Sequence, residues 1–200
     1  MTQRTTTKIL PALAAVAMVS CRVLPPREAF LPQIAVHHAD NPHALFVKGK
    51  NHLAQGEARK AAAQFRAALR LQPNFDEAQL GLAHAYREAG AYRRARRLYR
   101  QILERSPRNV QVIEGLASAE AHLGRRDEAQ SLLQRALAID PESVSTLNAL
   151  ADLHYGRWQY AEALRYWERS LRLKHDQDTL ATLVEDLRDY VRKYGGSSDK

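Results

Sequence analysis

Residues 76–109 read DEAQLGLAHAYREAGAYRRARRLYRQILERSPRN, and this stretch decides the fold. Apolar residues fall at helical spacing on either side of Gly90: Leu82, Ala83 and Tyr86 before it, Ala95, Tyr99 and Ile102 after it. Gly90 breaks the chain between two segments of about a dozen residues each. Pro107 stops the second segment before a new one begins. The stretch therefore predicts two helices joined by a turn.

The pattern recurs at a fixed interval in both directions. Ala61, Ala95, Ala129 and Ala163 are 34 residues apart, as are Phe65, Tyr99, Leu133 and Trp167, and Ala68, Ile102, Ala136 and Ser170. Pro73, Pro107 and Pro141 keep the step, with His175 in the fourth place. Gly56, Gly90 and Gly124 also keep it, with Trp158 fourth and Gly156 two residues earlier. A period of this length marks stacked supersecondary units. Small residues at Gly49, Ala83, Ala117 and Ala151, with the phased Ala of the second helix, let two helices approach closely. The large residue four positions after that Ala fills the space between neighbouring units.

On these residues the chain resembles the tetratricopeptide repeat family, in four copies at 42–75, 76–109, 110–143 and 144–177. The resemblance implies an all-α, right-handed superhelical solenoid of helix-turn-helix repeats. His52, Glu120 and His154 stand where the family usually has Tyr. A stack leaves its last apolar face open and needs a cap. Residues 178–194 predict one, with Asp178 as N-cap and a stripe of Leu180, Leu183, Val184, Leu187, Tyr190 and Val191. Residues 195–200 read as a frayed, disordered tail.

Composition agrees with a short repeat array. The chain has 200 residues, 45% hydrophobic, 26% charged and 7% aromatic, which excludes a membrane bundle and two large domains. A single cysteine excludes an internal disulfide and any multi-cysteine metal site. The net charge is +8, carried mostly by Arg, so acidic partners and anionic surfaces come into consideration.

That cysteine lies at a processing junction. Residues 1–8 carry Arg4 and Lys8 and no acid, Ile9 to Val19 is an apolar run of 11, and Ser20-Cys21 follows. A basic region, a short apolar region and a small residue make a secretory signal at 1–20, and the run is far short of the ~20 residues that span a bilayer. Met18-Val19-Ser20-Cys21 resembles a bacterial lipobox, which implies cleavage before Cys21 and its lipidation. Several acyl chains make a durable tether. Arg22, in place of an Asp that would hold the protein at the inner membrane, implies the outer membrane facing the periplasm. Residues 21–41 read as that tether, interrupted by Pro25-Pro26 and Pro32 and about 25 Å in root-mean-square span. Its Phe30, Leu31, Ile34 and Val36 either dock on the first repeat or form an adhesive linker.

No Gly-rich phosphate loop, nucleophile motif or metal-ligand spacing is present, so no catalytic residue, cofactor or metal site is expected. His37, His38 and His43 form the one histidine cluster and read as solvated. A helical solenoid works through the concave face lined by its first helices. By phase that face offers Phe46, Lys50 and Leu53, then Leu80, His84 and Arg87, then Glu114, Ser118 and Ala121, then Asn148, Asp152 and Tyr155. It runs from basic and apolar to acidic and polar, which suits an extended peptide or a partner helix. The carboxylate clamp of chaperone adaptors is missing, because Phe46, Lys50, Gln111 and Gly115 occupy its positions. Arg93, Arg94, Arg96, Arg97 and Arg100 form a basic surface, either a binding face for an acidic partner or plain solvated surface.

The expectation is a non-catalytic, envelope-anchored scaffold for another protein. The resemblance to repeat-containing pilus-assembly lipoproteins, of the type IV pilotin and Tad/Flp kinds, implies a secretin or pilus subunit as partner. No nucleic acid partner is expected of an exported protein. The competing reading is a cytosolic co-chaperone or regulatory adaptor without lipidation.

Overall fold

The computed structural model describes residues 41–174 and 176–194. The predicted signal, Cys21, the tether up to Asp40 and the tail 195–200 lie outside the described residues. Within them the chain forms nine α-helices and no strand: α1 Pro42–Ala54, α2 Ala58–Leu71, α3 Asp76–Glu88, α4 Tyr92–Arg105, α5 Val110–His122, α6 Arg126–Ile139, α7 Val144–Tyr155, α8 Tyr160–Leu173 and α9 Asp178–Tyr194. Helices α1 to α8 pack as four consecutive pairs, and α9 packs on α8. Successive first helices (α1, α3, α5, α7) touch one another, whereas the second helices make no such contact. The first helices therefore line the inner face of the stack and the second helices its outer face.

Local chemistry sets the helix ends. Asn41, Asn109 and Ser143 cap α1, α5 and α7 with their side chains. Phe75 holds the equivalent position before α3, makes no cap, and is buried against His43 and Phe46 instead. Each first helix closes with the same pair of turns. The Gly56 N–H donates to Leu53 O at 2.9 Å and the Glu57 N–H to His52 O at 2.8 Å, and equivalent bonds end α3, α5 and α7. That closure needs a left-handed residue. Gly56, Gly90 and Gly124 supply it at φ 74°, 73° and 80°. In the fourth repeat Trp158 takes it at φ 64°, while Gly156 keeps an ordinary helical conformation.

The core is a chain of small clusters, each joining one repeat to the next. Phe65, Tyr99, Leu133 and Trp167 are buried at their centres, as are Gly49, Ala83, Ala117 and Ala151. Phe65 and Tyr99 sit against glycines that leave room for their rings. A Cβ on Gly49 would lie 2.6 Å from the Phe65 ring and one on Gly81 2.8 Å from it. A Cβ on Gly115 would likewise enter the Tyr99 ring. At the next position in phase Ala149 meets the smaller Leu133. In the first three repeats the size of the central side chain is thus matched to the size of the residue it meets.

The cap departs from its sequence reading in two ways. Asp178 is the first residue of α9, not its N-cap; Gln177 precedes it and accepts from the Ala181 N–H. The apolar stripe is divided. Val184 and Leu187 are buried on Trp167, with Leu180 and Val191 beside them, while Leu183 and Tyr190 face outward.

Candidate functional site

A hollow of about 320 Å³ opens on the inner face between α5 and α7. Alanines 117, 121 and 149 with Leu153 make its apolar floor, and Glu114, Ser118, His122, Arg126 and Asp152 supply its polar groups. The floor exists because small residues recur where first helices face each other, which leaves room that larger side chains would fill. Asp152 reaches solvent but is crowded enough that burial pushes its carboxyl above the ordinary aspartate range, opposed by a hydrogen bond from Trp167. His122 is fixed by its Nδ1 on Ser118 O at 2.8 Å and by stacking on Tyr92 at 4.3 Å.

Of the groove residues read from the sequence, Ser118, Ala121, Asp152 and Glu114 meet in this hollow. Glu114 also binds the next repeat, accepting from Ser143 at 3.1 Å, from Ser145 at 2.6 Å and from Thr146. Asn148 donates to Gln177 at 3.1 Å, and its Oδ1 is buried with no partner. Tyr155 lies further along, 5.5 Å from Trp167 and 5.4 Å from Tyr160, with its edge exposed.

The amino-terminal half is different. Phe46, Leu53 and Leu80 pack against the core clusters. Phe46 lies 5.8 Å from Phe65 and 5.2 Å from Phe75, and Lys50 covers its ring at 5.8 Å. His84 is half-buried 5.8 Å from Tyr99, and burial, with Arg87 nearby, holds its pKa below the usual histidine value. Arg87 pairs with Glu88 at 2.7 Å. None of these side chains lines the hollow between α5 and α7; Leu80 lines a separate one with Asp76, Glu77 and Ile102.

The basic cluster divides for a geometric reason. Arg93, Arg96, Arg97 and Arg100 stand at i, i+3, i+4 and i+7, one face of α4, and share a hollow. Arg94 points elsewhere and lies over Tyr86 at 5.7 Å. Sequence reasoning missed His122, Leu153 and Gly81. Gly81 was detectable, since Gly81, Gly115 and Ala149 keep the 34-residue step. Among the described residues no three His, Cys, Asp or Glu side chains converge as metal ligands, and no helix is long and apolar enough to cross a membrane.

Paired helices, a repeating core and an inner pocket define an all-helical repeat scaffold of the kind that binds other proteins. Tetratricopeptide repeat profiles match residues 52–118 and 86–153, and a further tetratricopeptide repeat profile matches 143–175. The chain belongs to the tetratricopeptide repeat family. No curated protein matches it. Among solved structures it is similar to one from a functional characterisation of Pseudomonas aeruginosa pilF, at 26% identity and TM-score 0.66, covering 76% of this chain and 70% of that one. It also shares its fold with MamA 41-end from Desulfovibrio magneticus RS-1, at 19% identity and TM-score 0.64, covering 84% and 96%. A MamA RS-1 double mutant matches at 20% identity and TM-score 0.63, covering 76% and 85%. No enzyme family is indicated, and tetratricopeptide proteins are in general non-catalytic scaffolds.

Proposed function

We propose that this chain is a non-catalytic scaffold of the bacterial envelope, lipidated at Cys21 and held at the outer membrane facing the periplasm. There it grips a protein segment in its inner groove and assists assembly or localisation of a pilus or secretion complex. The observation that carries the groove is the hollow between α5 and α7, apolar at its floor and rimmed by Ser118, Asp152 and His122. Such a site accepts a small apolar side chain from a helix or extended peptide and offers Asp152 to a basic or amide neighbour. The anchor rests on the signal and lipobox pattern at 1–21. The pilus or secretion setting rests on that pattern together with the similarity to pilF.

Fractionation of cells expressing the wild type and Cys21→Ala tests the anchor. The reading expects the wild type in the outer-membrane fraction, and Cys21→Ala released from it or retained as an uncleaved precursor. Two soluble forms that both keep Met1 would refute it and favour a cytosolic adaptor. Filling the groove tests the scaffold: Ser118→Trp should abolish co-purification of the partner while the far-ultraviolet circular dichroism stays helical.

A further inference from the structure

The outer face carries a second site that the groove does not use. The four arginines on one face of α4 meet Arg125, from the turn between α5 and α6, around a cleft of about 530 Å³. Beneath it lies Glu120, on α5, with its side chain only 1% exposed. Glu120 Oε1 accepts from Arg100 at 2.8 Å, and Oε2 lies 3.7 Å from both Arg96 and Arg125 without a hydrogen bond. One buried carboxylate thus holds three guanidiniums in place. Arg93 and Arg97 make no ion pair among the described residues and stand exposed at the rim.

Five guanidiniums against Glu104 and Glu120 leave a surplus of three positive charges in one cleft. Like charges at this spacing repel one another, and an oxyanion relieves that repulsion. We propose that this cleft binds a phosphate group. A single carboxylate offers two oxygens, too few for the forked donors present; a phosphate offers more oxygens and up to two charges. The cleft also selects a compact anion over an extended acidic chain. The hollow that continues from it along α6 sets Glu104, Glu120, Asp127 and Glu128 against Arg100 and Arg135, a net negative lining that disfavours a polyanion running that way. Its phosphate comes either from a soluble ester or from a lipid headgroup at the membrane surface. The cleft and the groove hollow share no lining residue, so a ligand in one leaves the other open.

The test uses the full chain carrying Cys21→Ala, which removes the lipid anchor from the readout. Thermal melting is followed against inorganic phosphate and glycerol phosphate at constant ionic strength, with chloride as control. Flotation with phosphatidylglycerol vesicles, against phosphatidylcholine vesicles, identifies the source. The expected result is a phosphate-dependent rise in melting temperature. Arg93→Gln and Arg97→Gln should each weaken binding about ten-fold, as the loss of a charge-assisted hydrogen bond implies. Neither residue is held in an ion pair among the described residues, and Arg94→Gln, outside the cleft, should bind as the parent does. Phosphate binding without flotation assigns the soluble ester, and flotation abolished by the same two variants assigns the headgroup. The proposal is overturned if phosphate acts no differently from chloride and neither vesicle floats the chain. It is overturned too if Arg94→Gln is as damaging as Arg97→Gln, or if an oligoglutamate peptide binds where phosphate does not, which would assign an acidic protein segment.

Discussion

At the scale of single residues, the fold depends on matched pairs. Tyr99 fits because Gly115 has no side chain, and a Cβ there would overlap its ring. Gly115→Ala should destabilise the chain by about 1–3 kcal/mol, as overpacking does. Adding Tyr99→Leu, which copies the Leu133 and Ala149 pair of the next repeat, should recover most of that loss. Urea unfolding of the two single variants and the double variant completes the cycle. Trp158 presents the opposite case, a large side chain where glycine belongs, with φ 64° and 80% exposure. Trp158→Gly should stabilise by about 1 kcal/mol, since the left-handed conformation strains an L residue by roughly that much. The phase legible in the sequence put Trp158 in the glycine column. It did not reveal whether the turn would move to Gly156, because the backbone bonds of the closing turn decide that. The three departures from the family tyrosine follow a rule visible only in three dimensions. Each pairs with the residue five positions on: His52 with Glu57 at 2.6 Å, Glu120 with Arg125 at 3.7 Å, and His154 with Gln159 at 2.8 Å. Tyr86, by contrast, faces Ala91 in that phase.

At the scale of elements, α9 closes the stack through Val184 and Leu187 on Trp167. Leu187→Ala should lower stability by about 2–4 kcal/mol, as buried leucine truncations do. In a stack whose units contact only their neighbours, the loss should open the fourth repeat first. Hydrogen exchange checks this: amides of α7 and α8 should lose protection while those of α1 to α4 keep theirs. The helices were readable because their periodicity and breakers are local. The groove was only partly readable. Phase places Phe46 and Asp152 on equivalent faces, but Phe75 and Phe65 draw Phe46 into the core, whereas small residues leave Asp152 beside an open hollow. Which face residue meets a large neighbour is a property of packing across repeats, and helical spacing does not contain it.

At the scale of the whole molecule, the inner groove between α5 and α7 and the outer basic cleft are lined by different residues. Asp152 links the stability of the chain to pH. Its pKa is raised in the folded chain, so the folded state holds the proton more tightly than the unfolded state. Its contribution to stability is therefore most favourable below the ordinary aspartate pKa and is lost as pH rises through the raised value. Asp152→Asn should flatten that slope and leave the chain at least as stable at pH 7, while weakening partner capture; urea unfolding across pH and co-purification check the two halves. The central claim is that the inner face between α5 and α7 holds a protein. A photo-crosslinking amino acid in place of Ser118, with one in place of Gln134 on the outer helix α6 as control, tests it in intact cells. One dominant protein adduct is expected from position 118, identified by mass spectrometry and absent from position 134. No protein adduct at 118, or the same adducts from both positions, would contradict it.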